Sequence, residues 1–423
     1  MRKRFSIISL GCFRNTYDSG IIADEFSKQG YVLSNEATSY FRQSQDTSKK
    51  DIILINTCGF IDKAKEESIN TIKEAISLKK KKKVKKIIVF GCLVQRYQNI
   101  LKRFFPEVDE WRSVVNFSPA FTKRKKIENT CFDFLKICEG CINKCSFCAI
   151  PLIKGGLRSR SSDEVIKEVR YLDRQNIKEL NIIGQDITSW GKDFQEKDNL
   201  VQLLKNILNN TKNIKWIRLI YTHPRNFSDS LIELIAKEKR ICKYVDLPIQ
   251  HISDRILKLM NRGITKKEII SLIRKIRKKI PSCAIRTAVI VGFPGEKERE
   301  FRELLNFLKK AKFNRLGAFI YSREEGTPAY NFSPQVHYRT KKRRYDEIMS
   351  LQQKIAQQLN SSFIGKKINV LIEKIENEFA LARTEYDAPE VDGIVFVRKR
   401  GLKAGDFYQT KIVDAYGYDL VGI

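Results

Sequence analysis

Cys141-Ile-Asn-Lys-Cys145-Ser-Phe-Cys148 is the stretch on which the reading of this chain turns. Three thiolates on one short loop, separated by three and then two residues, reach three corners of a cubane iron–sulfur cluster. The fourth iron is then left without a protein ligand and offers a Lewis-acid position to a small chelating molecule. Zinc is the competing metal, because Cys138-x-x-Cys141 makes a further short pair just upstream. A zinc ribbon would need another CxxC far downstream, and the sequence has none there.

Around that loop, strand-like apolar runs at 134–137, 180–183, 216–220, 244–249, 284–291 and 316–321 alternate with helical patterns at 162–175, 200–209, 254–261, 266–279 and 296–311. Six βα units predict a full or partial barrel whose chemistry gathers at the carboxyl ends of its strands. Gln185 and Asp186 follow one such end, Gln250 and His251 another. His223 and His251 each stand alone beside a strand end and read as hydrogen-bonded loop residues. Gly292-Phe-Pro-Gly295-Glu296 opens a helix, but it lacks the GK[ST] of a phosphate loop, which excludes nucleotide hydrolysis. Residues 339–360 read as one connecting helix.

Upstream, Cys12, Cys58 and Cys92 follow apolar runs at 5–10, 52–55 and 87–90, with a helical pattern at 62–80 between the last two. Alternating strands and helices predict a parallel sheet with all carboxyl ends along one edge, where open α/β sheets bind ligands. Each of these cysteines has a glycine beside it. The three therefore read as a second metal set, and the competing reading is three buried core thiols. Cys131, Cys138, Cys242 and Cys283 follow no such pattern and read as structural.

The 423 residues predict two or three domains. Lys and Arg number 80 against 49 Asp and Glu, a formal charge of +31, which points to polyanionic partners such as RNA or to a generally lysine-rich proteome. No run approaches the ~20 apolar residues of a membrane span. The start, Met1-Arg-Lys-Arg, mimics a signal peptide, but the apolar run after it is short and interrupted by Arg14, so it reads as a first strand in a cytoplasmic protein. After Gly365, short strand-like pieces at 368–372, 379–383, 393–397, 406–412 and 418–421 predict a five-stranded OB-like barrel. Within it, Asp387-Ala-Pro-Glu-Val-Asp392-Gly is an acidic loop suited to a basic protein partner.

CxxxCxxC with an aromatic before the last Cys resembles the signature of radical S-adenosylmethionine (SAM) enzymes. The wider set of motifs resembles their methylthiotransferase family along nearly the whole chain. These motifs are Ser9-Leu-Gly-Cys12-x-x-Asn15, Asn56-Thr-Cys58-Gly-Phe, Gly91-Cys92-Leu, Glu139-Gly-Cys141, Ile290-Val-Gly-Phe-Pro-Gly-Glu296 and Tyr321-Ser. Cys58-Gly-Phe-Ile-Asp-x-Ala-Lys-x-Glu-Ser68, Tyr244-x-Asp-Leu-Pro-Ile-Gln-His251, Asp387-Ala-Pro-Glu-x-Asp-Gly393 and Tyr418-Asp-Leu-x-Gly422 look like the branch that modifies ribosomal protein uS12. Arg323-x-x-Gly326-Thr-Pro-Ala329 leans toward the branch that thiomethylates adenosine in tRNA, and Lys154-Gly155 stands where the family usually has Arg-Gly.

The resemblance implies an N-terminal methylthiotransferase domain over 1–125, a radical SAM partial (βα)6 barrel over 126–365 and a TRAM β-barrel over 366–423. It implies two [4Fe-4S] clusters, on Cys12, Cys58 and Cys92 and on Cys141, Cys145 and Cys148. It implies SAM as both radical source and methyl donor, with Phe147, Gln185, Asp186, Arg286 and Gly292 as contacts. The acceptor is then the β-carbon of an aspartate in uS12, or a tRNA adenosine, and a flavodoxin- or ferredoxin-type protein supplies electrons.

Overall fold

The computed structural model describes residues 3–34, 50–195, 199–376, 378–399 and 401–423. Its N-terminal part runs β1 (Arg4–Ser9), α1 (Phe13–Lys28), β2 (Val32–Leu33), β3 (Lys50–Thr57), α2 (Asp62–Lys80), β4 (Val84–Gly91), α3 (Cys92–Phe104) and β5 (Glu110–Trp111). These strands form one parallel sheet in the order β2-β1-β3-β4-β5. Helices cover both faces, so the central strands are apolar along their whole length: Ile53, Leu54, Ile55, Ile87 and Val89 are fully buried. The register carries the strands to nearly level ends, with Ser9 opposite Asn56 and Thr57 opposite Gly91. The N-terminal apolar run is thus an internal strand, with Phe5 and Ile7 in the core.

The central part begins with β6 (Phe132–Lys136), a short antiparallel pair of β7 (Cys138–Glu139) with β8 (Arg158–Ser159), and α4 (Ile150–Lys154) between them. Then come α5 (Ser162–Arg174), β9 (Glu179–Ile183), α6 (Leu200–Asn209), β10 (Trp216–Leu219), α7 (Asp229–Lys237), β11 (Tyr244–Asp246), α8 (Asp254–Leu259), α9 (Lys266–Lys279), β12 (Ala284–Val291), α10 (Glu298–Ala311) and β13 (Arg315–Ile320). Strands β10-β9-β6 and β11-β12-β13 are two parallel sheets. A parallel bridge from Ile217 to Ile241 carries the curve from one to the other, giving the six-stranded partial barrel. Side-chain caps fix where its helices start: Ser161 accepts from Glu164 N, Asn199 from Gln202 N, and Thr265 with Glu268 closes a capping box. Among the described residues no helix is long and apolar enough to cross a membrane.

Helix α11 (Tyr338–Ser361) leads to β14 (Lys367–Ile375), β15 (Ala380–Thr384), β16 (Val395–Val397), β17 (Phe407–Tyr416) and β18 (Asp419–Gly422). They close a barrel in the order β14-β15-β16-β18-β17 around Val370, Ile372, Val395, Ile412 and Leu420. This barrel docks on the amino ends of the central strands through ions. Glu179 lies between Arg218 (2.7 Å) and Arg383 (2.5 Å), all three fully buried. Arg315 donates to Asp387, and Asp392 accepts from Tyr244 Oη at 2.7 Å with Arg286 at 3.3 Å.

That docking corrects one expectation. The Asp387 and Asp392 carboxylates do not face outward toward a basic partner, although Glu390 of the same loop is exposed. Asp387 is 3% exposed and the Asp392 side chain likewise, because both carboxylates neutralise cations of the central barrel.

Candidate active site

At the carboxyl edge of the N-terminal sheet, Cys58 directly follows β3, Cys92 opens α3 after β4, and Cys12 precedes α1 by one residue. Two glycines let these turns touch. Gly11 has φ +91°, and a Cβ there would lie 2.8 Å from Cys58 Cβ and 3.0 Å from its Sγ. A Cβ on Gly59 would lie 2.7 Å from Leu93 Cα and 2.9 Å from the carbonyl carbon of Cys92. Asn15 ties the set together: its amide donates to Leu10 O (2.7 Å) and Thr57 O (3.2 Å), and its oxygen lies 3.8 Å from Cys92 Sγ. Burial pushes Cys58 up to about 11 and Cys92 up to about 12. For Cys12 the effect of burial is overcome by the guanidinium of Arg14, whose Nε donates to Sγ at 3.2 Å, and the thiol is held below its usual range.

The second set lies on the loop between β7 and α4. Asn143 Nδ2 reaches Cys141 Sγ at 3.5 Å, and Arg262 Nη1 reaches Cys145 Sγ at 3.4 Å. Donors of this kind orient ligands and tune a bound metal. Burial raises Cys148 to about 12, so a metal must displace a proton to take this sulfur as thiolate. Among the described residues no three Cys, His or carboxylate side chains converge closely enough to ligate a single ion. Thiolates on a multi-iron cluster bind separate irons and stand further apart, so the donor chemistry suits a cluster on each set.

A buried ionic square joins the two sets. Lys136 contacts Asp18 and Glu139 (2.6 Å), and Lys154 contacts Asp18 at 3.1 Å and Glu139 at 2.5 Å. Asp18 belongs to α1 beside Cys12, Glu139 lies two residues before Cys141, and Lys154 ends α4 after Cys148. A second tie runs from Arg96 and Lys65 on the N-terminal helices to Glu324 beyond β13, at 2.6 and 2.9 Å.

The residues singled out from sequence as SAM contacts fall in two groups. Phe147, Gln185 and Asp186 border the cysteine loop. Phe147 lines a largely apolar cavity of about 140 Å³ with Phe60, Ile61, Gln250, Ile290 and Tyr321. Asp186 accepts from Asn143 (2.8 Å), Asn226 (3.0 Å), Ser189 (2.6 Å) and Thr188 N, while Gln185 Oε1 is buried without a partner. Arg286 pairs with Asp246 and Asp392, and Asp246 also accepts from the backbone N–H of Tyr221. Gly292 packs so closely under Lys341 of α11 that a Cβ would lie 2.3 Å from Lys341 Cγ.

His223 and His251 are buried, and each accepts at Nδ1 from a backbone N–H two residues on, as loop residues do. Burial lowers both to about 3, so both are neutral imidazoles. Sequence reasoning missed Arg14, Asn143, Arg262 and Tyr221. None of the four carries a signal in the sequence; in the structure Tyr221, like Gln250, is a non-glycine residue at positive φ in a loop beyond a barrel strand, and such strain clusters at functional sites.

A six-stranded parallel partial barrel with a three-cysteine loop behind its first strand defines a radical SAM enzyme. Residues 135–308 match the family model of the radical SAM superfamily, residues 4–113 that of uncharacterized protein family UPF0004 and residues 364–423 that of the TRAM domain. Two solved structures of the radical SAM methyltransferase TsrM from Kitasatospora setae share the fold, with TM-scores of 0.53 and 0.52 at 13% and 14% identity; they cover 89% and 78% of this chain and 79% and 77% of theirs. The protein called ribosomal protein uS12 methylthiotransferase RimO in Chloroherpeton thalassium is 39% identical over 438 residues, 100% of this chain and 98% of that protein. Its namesake in Caldicellulosiruptor saccharolyticus is 42% identical over 448 residues, 99% of each. The chain belongs to this family of RimO methylthiotransferases.

Proposed function

We propose that this protein adds a methylthio group to the β-carbon of an aspartate in ribosomal protein uS12. The observation that carries the reading is two three-cysteine sets at neighbouring strand ends in a chain matched end to end by relatives of that name. Cys141, Cys145 and Cys148 would hold one [4Fe-4S] cluster and present it to SAM, and Cys12, Cys58 and Cys92 would hold the other. When bound, these groups supply the one-electron chemistry that breaks an unactivated C–H bond and the methylated sulfur that replaces the hydrogen.

The chain's own residues hold and shield that chemistry. Phe147 and the apolar wall beside it receive a flat base and keep water out. Asp186, fixed by five donors, presents a rigid carboxylate, and Gln185 brings an unsatisfied amide oxygen to the same strand end. The ionic square sets the spacing of the two cysteine layers.

The protein works in the cytoplasm as three units divided near residues 125 and 365, with electrons from a flavodoxin- or ferredoxin-type donor. The C-terminal barrel docks the small ribosomal subunit. RNA contact is supported by a recess of about 730 Å³ where the three units meet, lined by Lys123, Lys125, Lys126 and Lys178. The same recess and the +31 charge favour the second reading, a tRNA adenosine as acceptor.

Expression in a host lacking its own methylthiotransferases, followed by mass measurement of ribosomal proteins and digested tRNA, decides between them. A methylthio gain on uS12 that is lost in Cys12→Ala and Cys145→Ala is expected. A gain on tRNA alone overturns the first reading in favour of the second.

A further inference from the structure

Arg14 lies in the first turn of α1, two residues after Cys12. Its Nε donates to Cys12 Sγ at 3.2 Å, its Nη1 reaches Gly184 O at 3.4 Å, and its guanidinium stands 4.7 Å from the ring centroid of Tyr221. Gly184 follows β9 and Tyr221 follows Ile220 behind β10. One side chain thus bridges from the sheet cysteines to the strand ends of the barrel. Cys92 and Cys148, one from each set, both lie within reach of its charge.

Several buried arginines face carboxylates, Arg96 with Glu324, Arg124 with Asp133 and Arg160 with Glu168, while Arg262 lies on Cys145 Sγ and Pro248 O. Among the described residues Arg14 has no carboxylate at ion-pair distance; its partners are a sulfur, a carbonyl and a ring. A guanidinium carries five N–H donors and stays charged, and Arg14 is only half-buried, so an anion from outside can reach it. The sulfur and the carbonyl occupy two of those donors and leave the others for a group from outside. Next to Gly184, the buried oxygen of Gln185 has no partner among the described residues.

We infer that Arg14 is the receptor for the acceptor's carboxylate, seated between the two cysteine sets. This rests on the reading of the acceptor as an aspartate. The carboxyl carbon of an aspartate is bonded directly to the β-carbon, so gripping the carboxylate beside Cys12 places the reacting carbon one bond away from the grip. A purine whose substituent bears no carboxylate offers nothing to this grip, so the same cation discriminates against such an acceptor. A planar fork suits this task because it fixes orientation as well as charge.

The test uses the full chain with both clusters loaded and a fluorescent peptide carrying the uS12 target loop, with aspartate or with asparagine at the modified position. Binding is read by anisotropy, and kcat and KM by mass. The wild type is expected to bind the aspartate peptide about 10- to 100-fold more tightly, the worth of a charge-assisted hydrogen bond. Arg14→Met is expected to erase that preference and Arg14→Lys to retain most of it. Iron content and the cluster absorption spectrum of each variant report separately on the Cys12 side.

Equal binding of the two peptides by the wild type, or an undiminished preference in Arg14→Met, overturns the inference while leaving the acceptor reading in place. Should neither the peptide nor uS12 gain a methylthio group while tRNA does, both fall together.

Discussion

Gly59 has no side chain, and the place where a Cβ would stand is already taken by the backbone of Leu93 at 2.7 Å and of Cys92 at 2.9 Å. Neither neighbour is the movable end of a side chain, so the turn bearing Cys58 and the helix bearing Cys92 approach this closely only across a glycine. Gly59→Ala is expected to destabilise the fold by about 1–3 kcal/mol, the usual cost of overpacking, and to lower the iron content. The urea midpoint and an iron assay on the purified variant check both; an unchanged iron content would mean that the contact does not shape the sheet's metal set. At this same scale, Lys154 shows why a residue that departs from a family's habit can keep its place. It brings a cation to Asp18 and Glu139 as an arginine would, at 3.1 and 2.5 Å.

Helix α1 is held by charges rather than by grease alone. Its buried face carries Asn15, Asp18 and Ser19 beside Phe13, Ile22, Ala23 and Phe26, and Asp18 answers two lysines from outside the helix. Asp18→Asn leaves the square with one cation too many and is expected to cost about 3–5 kcal/mol. Removing the surplus cation as well, with Asp18→Asn combined with Lys154→Met, is expected to recover part of that loss; the double-mutant cycle by urea denaturation measures how much.

The polar buried face also explains what the sequence concealed. An apolar period of about 3.6 residues identified α9 and α10, and continuous apolar runs identified all six barrel strands, because those elements are buried by hydrophobic contact. In α1 the periodic signal is broken by polar residues whose partners lie more than 100 residues away, such as Lys136 for Asp18. Helix α7 is only nine residues long, and α3 contains a non-helical residue at Tyr97, so neither presents a long period. The grouping of the two cysteine triads was legible because each cysteine is local to a strand end or to one short loop. Arg14 was not, because its role depends on Gly184 and Tyr221 coming to it across the seam.

The units of the molecule are welded by ions that have left water. Glu179 on the central barrel, fully buried, is shared by Arg218 of the same barrel and Arg383 of the C-terminal one. Glu179→Gln is expected to destabilise the protein by about 3–5 kcal/mol, as breaking a buried pair does. Because buried charges are screened far less than exposed ones, the difference in unfolding midpoint between wild type and Glu179→Gln is expected to move little between about 0.05 and 0.5 M salt; a steep salt dependence of that difference would show that water reaches the weld. The acidic loop of the C-terminal barrel has a consequence in time as well as in space. Arg286 and Arg315 are made before Asp392 and Asp387, and at roughly 5–20 residues per second the answering carboxylates follow roughly four to twenty seconds later. During that interval a nascent chain carries a nearly finished barrel whose base is still cationic, on a ribosome built largely of phosphate. Slower translation over the last stretch of message lengthens that exposure.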